Sequence, residues 1–129
     1  MDKLLIEPTE TSPGVDFNPI DGTMLLQGRS IPEDAERFWA SVLSWFYAYS
    51  AEPVDKTVFT FKMDYFNIPS SKRILYLLNK MQSLHELGVH VEVIWYYAED
   101  DNFMKEVGSD FSTVVTLPFE LRKLKAELV

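Results

Sequence analysis

The chain is predicted to be an α/β protein, a mixed β-sheet packed by helices in the order β-β-β-α-β-α-β-α-β, with an optional final α. Three observations predict this. Residues 57–66 and 89–97 are dense in Val, Ile, Phe, Trp, Tyr and Thr, the types that suit a pleated, half-buried surface. Two longer segments, one before and one between these runs, repeat apolar residues at spacings of three and four, the period of an amphipathic helix. Strands that alternate with helices require parallel pairings joined by right-handed crossovers.

The N-terminal third reads as a β-meander or hairpin. Residues 3–8 form a short strand around Leu4, Leu5 and Ile6. Pro13-Gly14 and Asn18-Pro19 are turn signals. Val15 and Phe17 alternate with polar neighbours as a second strand. Asp21-Gly22 is a hairpin turn leading into a third, residues 23–29. The first helix starts around Ser30, Pro32, Glu33 and Asp34, where a capping hydroxyl, a proline and two acids suit a helix N-terminus. Its buried stripe is Ala35, Phe38, Trp39, Val42, Phe46 and Tyr49, and it ends near Ser50. Trp45 and Tyr47 lie off that stripe. Buried packing is favoured for both over an exposed adhesive patch, because large aromatics are highly buried on average.

In the strand at 57–66, Phe59, Phe61, Met63 and Tyr65 share one face, and Val58, Thr60, Lys62 and Asp64 the other. The next helix, residues 73–87, buries Ile74, Leu77, Leu78, Met81 and Leu84, and Gly88 stops it. The strand at 89–97 is apolar enough for a central place in the sheet. Asp100-Asp101 opens a short helix to about Gly108, with Phe103, Met104 and Val107 facing inward. Residues 113–117 are the last strand, ended by Pro118. Residues 119–129 read as either a short amphipathic helix or a mobile tail. No repeat, low-complexity stretch or domain boundary is visible, and 129 residues suit one compact domain.

The composition removes several function classes. There is no cysteine, hence no thiol nucleophile, disulfide framework or zinc-thiolate site. The two histidines, His85 and His90, have no metal-ligand spacing. Glu99-Asp100-Asp101 precedes a helix and is read as capping rather than metal binding. With five glycines and no GxxxxGK[ST], GxGxxG or GxSxG, a phosphate-cradling loop or nucleophile elbow is not expected. No nucleophile–base–orienter set emerges. The expectation is a non-enzyme without cofactor. A net charge of −8 argues against nucleic acid, which demands a basic surface. No apolar run reaches the roughly 18 residues of a membrane span. A soluble cytoplasmic protein with protein partners is expected.

One stretch stands out: Tyr65-Phe66-Asn67-Ile68-Pro69-Ser70-Ser71-Lys72, where a strand hands over to a helix. Two hydroxyls and a lysine stand at that junction. A helix N-terminus exposes unpaired N–H groups and favours negative charge, so a phosphate there would be well accommodated. The same residues also read as an ordinary cap.

Three blocks carry a resemblance over nearly the whole chain. They are Phe61-Lys62-Met63-Asp64-Tyr65-Phe66-Asn67 with Ser70-Ser71-Lys72, then Val91-Glu92-Val93-Ile94-Trp95-Tyr96-Tyr97-Ala98-Glu99-Asp100-Asp101, and Leu117-Pro118-Phe119-Glu120. On these blocks, and on Ile6-Glu7-Pro8-Thr9 with Thr11 and Pro13, the chain resembles the SiaC family of regulatory phosphoproteins. That family has a variant of the STAS (anti-sigma-factor antagonist) fold. The resemblance implies one STAS-like regulatory domain, residues 1–129. It also implies partner switching: binding a signalling enzyme, in relatives a diguanylate cyclase in biofilm control, with a Ser/Thr kinase and a phosphatase acting at the strand-to-helix turn. The family turn reads Asn-Thr-Ser-Ser, the Thr being the acceptor. Asn67 matches the residue before the acceptor, but the acceptor position itself is Ile68, which has no hydroxyl. Ser70, with Ser71 as the other candidate, is expected to replace it; otherwise the chain is a constitutive binding module without the switch. The expected docking face comprises Asn67, Ile68, Pro69, Ser70, Lys72 and Arg73, continuing through Tyr76, Asn79 and Lys80. Ile68 and Tyr76 would be its apolar anchors, unless Ile68 packs beneath the turn.

Overall fold

A computed structural model describes residues 1–125. It shows a mixed six-stranded sheet packed by three helices, with the strands side by side in chain order. The N-terminal meander consists of β1 (Leu4–Ile6), β2 (Gly14–Asn18) and β3 (Thr23–Ser30), paired antiparallel. At its second turn Gly22 takes φ 73°, a left-handed conformation that glycine adopts without a Cβ clash. From β3 onward every pairing is parallel: β3 to β4 (Lys56–Phe66), β4 to β5 (His90–Tyr97), and β5 to β6 (Phe119–Lys123). The three crossovers are α1 (Ala35–Ala51), α2 (Ile68–Glu86) and α3 (Asn102–Thr113).

Strands added in chain order through right-handed crossovers put all three helices on one face. Burial agrees. Register aligns Phe17 with Met24, Met24 with Phe59, Phe59 with Val93, and Phe61 with Trp95. All of these are buried with Trp39, Phe46, Tyr49, Ile74, Leu77, Leu78, Met81 and Met104 in one cluster. The opposite row, Asp16, Leu25, Thr60, Ile94 and Glu120, is half-buried or exposed. No described element covers it.

The elements depart from the sequence expectations at five places. First, α1 starts at Ala35, because Asp34 caps it by accepting from Arg37 N–H at 3.0 Å. Ser30 ends β3 instead, fully buried. Second, β3 and β4 slip register after Gly28, so that Met63 opposes Gly28 while Tyr65 opposes Arg29. Asp64 is the extra residue. Tyr65 therefore turns outward and Phe66 inward, breaking the expected alternation. Third, α2 begins at Ile68 rather than Arg73, with Asn67 as its cap. Fourth, α3 continues to Thr113, with Gly108 inside it. A Cβ on Gly108 would lie 2.4 Å from the Trp95 ring, so glycine is required there by close packing rather than as a stop. Phe103 faces solvent rather than the core. Fifth, residues 114–117 are not the last strand and 119–123 are not helical: β6 follows Pro118. The expected tail beyond residue 125 lies outside the described residues.

Trp45 and Tyr47 part company. Trp45 stacks on Tyr49 at 5.4 Å and donates to Asp2 C=O at 2.8 Å, whereas Tyr47 is exposed.

Candidate functional site

The β4–α2 turn lies at the carboxyl ends of the parallel strands, where open α/β sheets present their binding loops. Asn67 holds it on both sides. Its N–H donates to Ser30 C=O at 3.0 Å, and its side-chain oxygen accepts from Ser70 N–H at 3.0 Å. Asn is a strong cap because this bond satisfies a donor that the helix cannot. Pro69 falls in the first turn, where its missing N–H costs nothing.

Ser70 is fully buried. Its hydroxyl lies 2.7 Å from Ser30 Oγ and donates to Ser30 C=O at 3.0 Å. Ser30 Oγ also accepts from Trp39 Nε1 at 3.3 Å. This buried knot ties the end of β3, helix α1 and the start of α2 together. The preferred acceptor is thus sealed inside the fold, and Ser70 presents nothing to a partner. The sequence could not show this, because the Ser30 partner lies 40 residues away. Ser71 is half-exposed and donates to Ile68 C=O at 2.7 Å. Of the two serines, it is the one whose side chain meets solvent.

The helix end is also a poorer anion cradle than its position suggested. Pro69 has no N–H, Ser70 N–H is taken by Asn67, and Ser71 N–H makes the first helical bond to Asn67 C=O at 2.9 Å. Of the first three positions only Ile68 keeps a free donor among the described residues.

Ile68 does not pack beneath the turn. It is 73% exposed, and Ile20 and Leu87 are similarly so; what sets Ile68 apart is its place at the turn, on the same side of α2 as the exposed Tyr76. One helical turn apart, Lys72, Tyr76 and Lys80 continue the line it begins. Lys72 is exposed and Tyr76 is 48% exposed. Lys80 Nζ sits 5.2 Å over the Tyr76 ring, a cation–π contact that holds the ring upright. Arg73 reaches back to Pro69 C=O at 3.2 Å. Asn67 is half-buried, Pro69 exposed and Asn79 exposed on the same helix. Apart from Ser70, the residues expected to form the docking face do present surface along one side of α2.

Elsewhere the expectations about chemistry meet ordinary structural roles. Asp101 caps α3 by accepting from Met104 N–H at 2.9 Å. His90 pairs with Glu92 at 3.4 Å on the surface. Among the described residues, no group of three or more His, Cys, Asp or Glu is placed to hold a metal ion, and no helix is long and apolar enough to cross a membrane.

Residues 6–124 match the family described as SiaC family regulatory phosphoprotein. An uncharacterised protein of Pseudomonas aeruginosa (strain UCBPP-PA14) is 23% identical over 122 residues, covering 95% of this chain and 97% of that one. The solved structure of apo-SiaC from Pseudomonas aeruginosa superposes with a TM-score of 0.88 at 24% identity, covering 95% of this chain and 99% of the other. The structure of the diguanylate cyclase SiaD in complex with its activator SiaC, from the same organism, gives 0.90 at 22% identity, covering 94% and 99%. These structural likenesses show a shared fold. A family match spanning nearly the whole chain shows more: the chain belongs to the SiaC family of regulatory phosphoproteins.

Proposed function

We propose that this protein is a non-enzymatic regulator that docks on a signalling enzyme, of the diguanylate cyclase kind, through the β4–α2 turn and the outer side of α2. The observation that carries this reading is Ile68: an isoleucine held 73% exposed at the first position of a rigidly capped helix. Burying such a side chain yields about 1.5–3 kcal/mol, and the fold itself leaves that unused. The partner type rests on family membership and on the SiaC relative whose structure is that of an activator bound to its cyclase. A Ser/Thr kinase and a phosphatase are the further partners that a regulatory phosphoprotein requires. Within the turn, Ser71 is the proposed acceptor, since Ser70 is sealed.

The test is affinity capture from native lysate with wild-type chain and with Ile68→Asp. An acid at the first helical position complements the helix dipole, so the variant should melt like wild type. The expected result is capture of a nucleotide cyclase by wild type and loss of it by the variant. Equal capture by both, with matching melts, would remove Ile68 from the interface.

A second reading has its own support. Ile68 without a hydroxyl, Pro69 without an N–H and Ser70 out of reach together describe a turn poorly equipped for phosphate, and hence a constitutive binding module. Phosphopeptide mapping of protein from native cells separates the two. Phosphate on Ser71 supports the switch, and an unmodified 67–73 peptide supports constitutive binding.

A further inference from the structure

We infer that the surface which docks on α2 is acidic, with an apolar centre that seats between Ile68 and Tyr76. The inference rests on the docking reading above and adds the chemistry of the partner.

The charge pattern of α2 carries it. The whole chain has a net charge of −8, yet α2 holds Lys72, Arg73 and Lys80 before its first acid, Glu86. None of the three cations has a carboxylate within salt-bridge distance among the described residues; Lys56, Arg122 and Lys123 have one. Lys3, Arg29, Arg37, Lys62 and Lys105 resemble those of α2, which differ in being gathered on one helix with no acid before Glu86. Here the helix keeps a single sign on the side that also exposes Ile68 and Tyr76. Four side chains at four-residue spacing, Ile68, Lys72, Tyr76 and Lys80, form a line of alternating apolar and cationic groups about 18 Å long at 1.5 Å per residue. An opposite alternation on the partner satisfies both kinds of group at once.

The neighbouring loops set the direction of approach. The carboxyl ends of β3 and β5 carry Glu33-Asp34 and Glu99-Asp100-Asp101. These hold an acidic partner off the flanking loops and direct it to the β4–α2 turn and the outer side of α2. Complementary charges of this kind act mainly on association rate and specificity, and they are screened by salt.

The experiment titrates the isotope-labelled full chain with two synthetic 18-residue amphipathic peptides of identical apolar face, one with Glu and one with Lys at every polar position, read by amide NMR shifts at low and high salt. The Glu peptide is expected to shift Ile68, Lys72, Tyr76 and Lys80. Its Kd should weaken by about tenfold or more in Lys72→Glu/Lys80→Glu, and again on raising salt, while the Lys peptide leaves α2 unmoved. Lys72→Gln/Lys80→Gln serves the same purpose should the double charge reversal perturb the fold. Equal shifts from both peptides, shifts confined to Lys62, Tyr96 and Arg122 on the open sheet face, or no shifts at all would overturn the inference. Failure here is separable from failure of the docking reading. If Ile68→Asp abolishes capture of the enzyme while Lys72→Glu/Lys80→Glu captures it at wild-type, salt-independent affinity, the docking site stands and the acidic partner falls.

Discussion

At the residue scale, one hydroxyl decides what the turn can do. Ser70 sits where a sequence reading would place a modification, but its oxygen belongs to the Ser30–Trp39 knot. Removing it by Ser70→Ala deletes two buried hydrogen bonds and should cost about 1–2 kcal/mol in urea unfolding. Ser70→Asp puts an unpaired charge in the same place and should cost about 3 kcal/mol or more. Ser71→Asp should stay within about 0.5 kcal/mol of wild type, as surface changes do. A Ser70→Asp protein as stable as wild type would mean that the knot opens freely. The place of the turn and its proline were legible in the local sequence. The local pattern points to a serine as the cap, whereas Asn67 supplies it, more than one turn before the expected helix start. The burial of Ser70 was not legible, because it depends on a strand and a helix from far upstream.

At the element scale, the last third of the chain shows how a long-range contact overrides a local pattern. Thr113 to Leu117 has β-branched residues suited to a strand. Instead, Gln82 on α2 takes the place of a pairing strand. Its oxygen accepts from Thr116 N–H at 2.8 Å and Leu117 N–H at 3.2 Å, and its amide donates to Thr116 Oγ1 at 2.8 Å. This strap lets the chain pass from α3 to β6 without joining the sheet early. Gln82→Ala should cost about 0.5–1.5 kcal/mol, because the freed groups are open to water in part, and hydrogen exchange should show the amides of Thr116 and Leu117 losing protection first. Wild-type exchange at both would refute the strap. In α3, Gly108→Ala should cost about 1–3 kcal/mol by overpacking, because its Cβ would meet the Trp95 ring and Leu121. A shift in Trp95 fluorescence reports the same collision.

At the scale of the whole molecule, the sheet has one covered and one open face. Adjacent residues of one strand therefore differ sharply in what they support. Phe61 is wholly buried while Thr60 beside it faces outward. Phe61→Ala should cost about 3–5 kcal/mol and Thr60→Ala less than about 1 kcal/mol in denaturant unfolding. Comparable losses would show that something covers the open face. That face carries its own small network. Tyr96 lies between Lys62 at 4.8 Å and Arg122 at 5.6 Å. The Arg122 guanidinium is held above its usual pKa, first by the Tyr96 hydroxyl and then by Glu120. Lys62 has an aromatic ring and no carboxylate there, as Lys80 has on α2. The surface assigned to a partner is α2 because its cations share one side with the exposed Ile68 and Tyr76.

By itself, the sequence determined the class of fold, most element types and the place of the turn. Periodicity, capping residues and turn residues act within a few positions of one another and need no tertiary knowledge. The outward exposure of Ile68, the sealing of Ser70, the bulge that swaps Tyr65 for Phe66 and the position of the last strand were decided only in the folded molecule. The last three depend on which distant residue lies opposite: Ser30 against Ser70, Arg29 across the ladder from Tyr65, and Gln82 against Thr116. Those neighbours are set by how strands and helices pack, and local patterns along the chain do not record them.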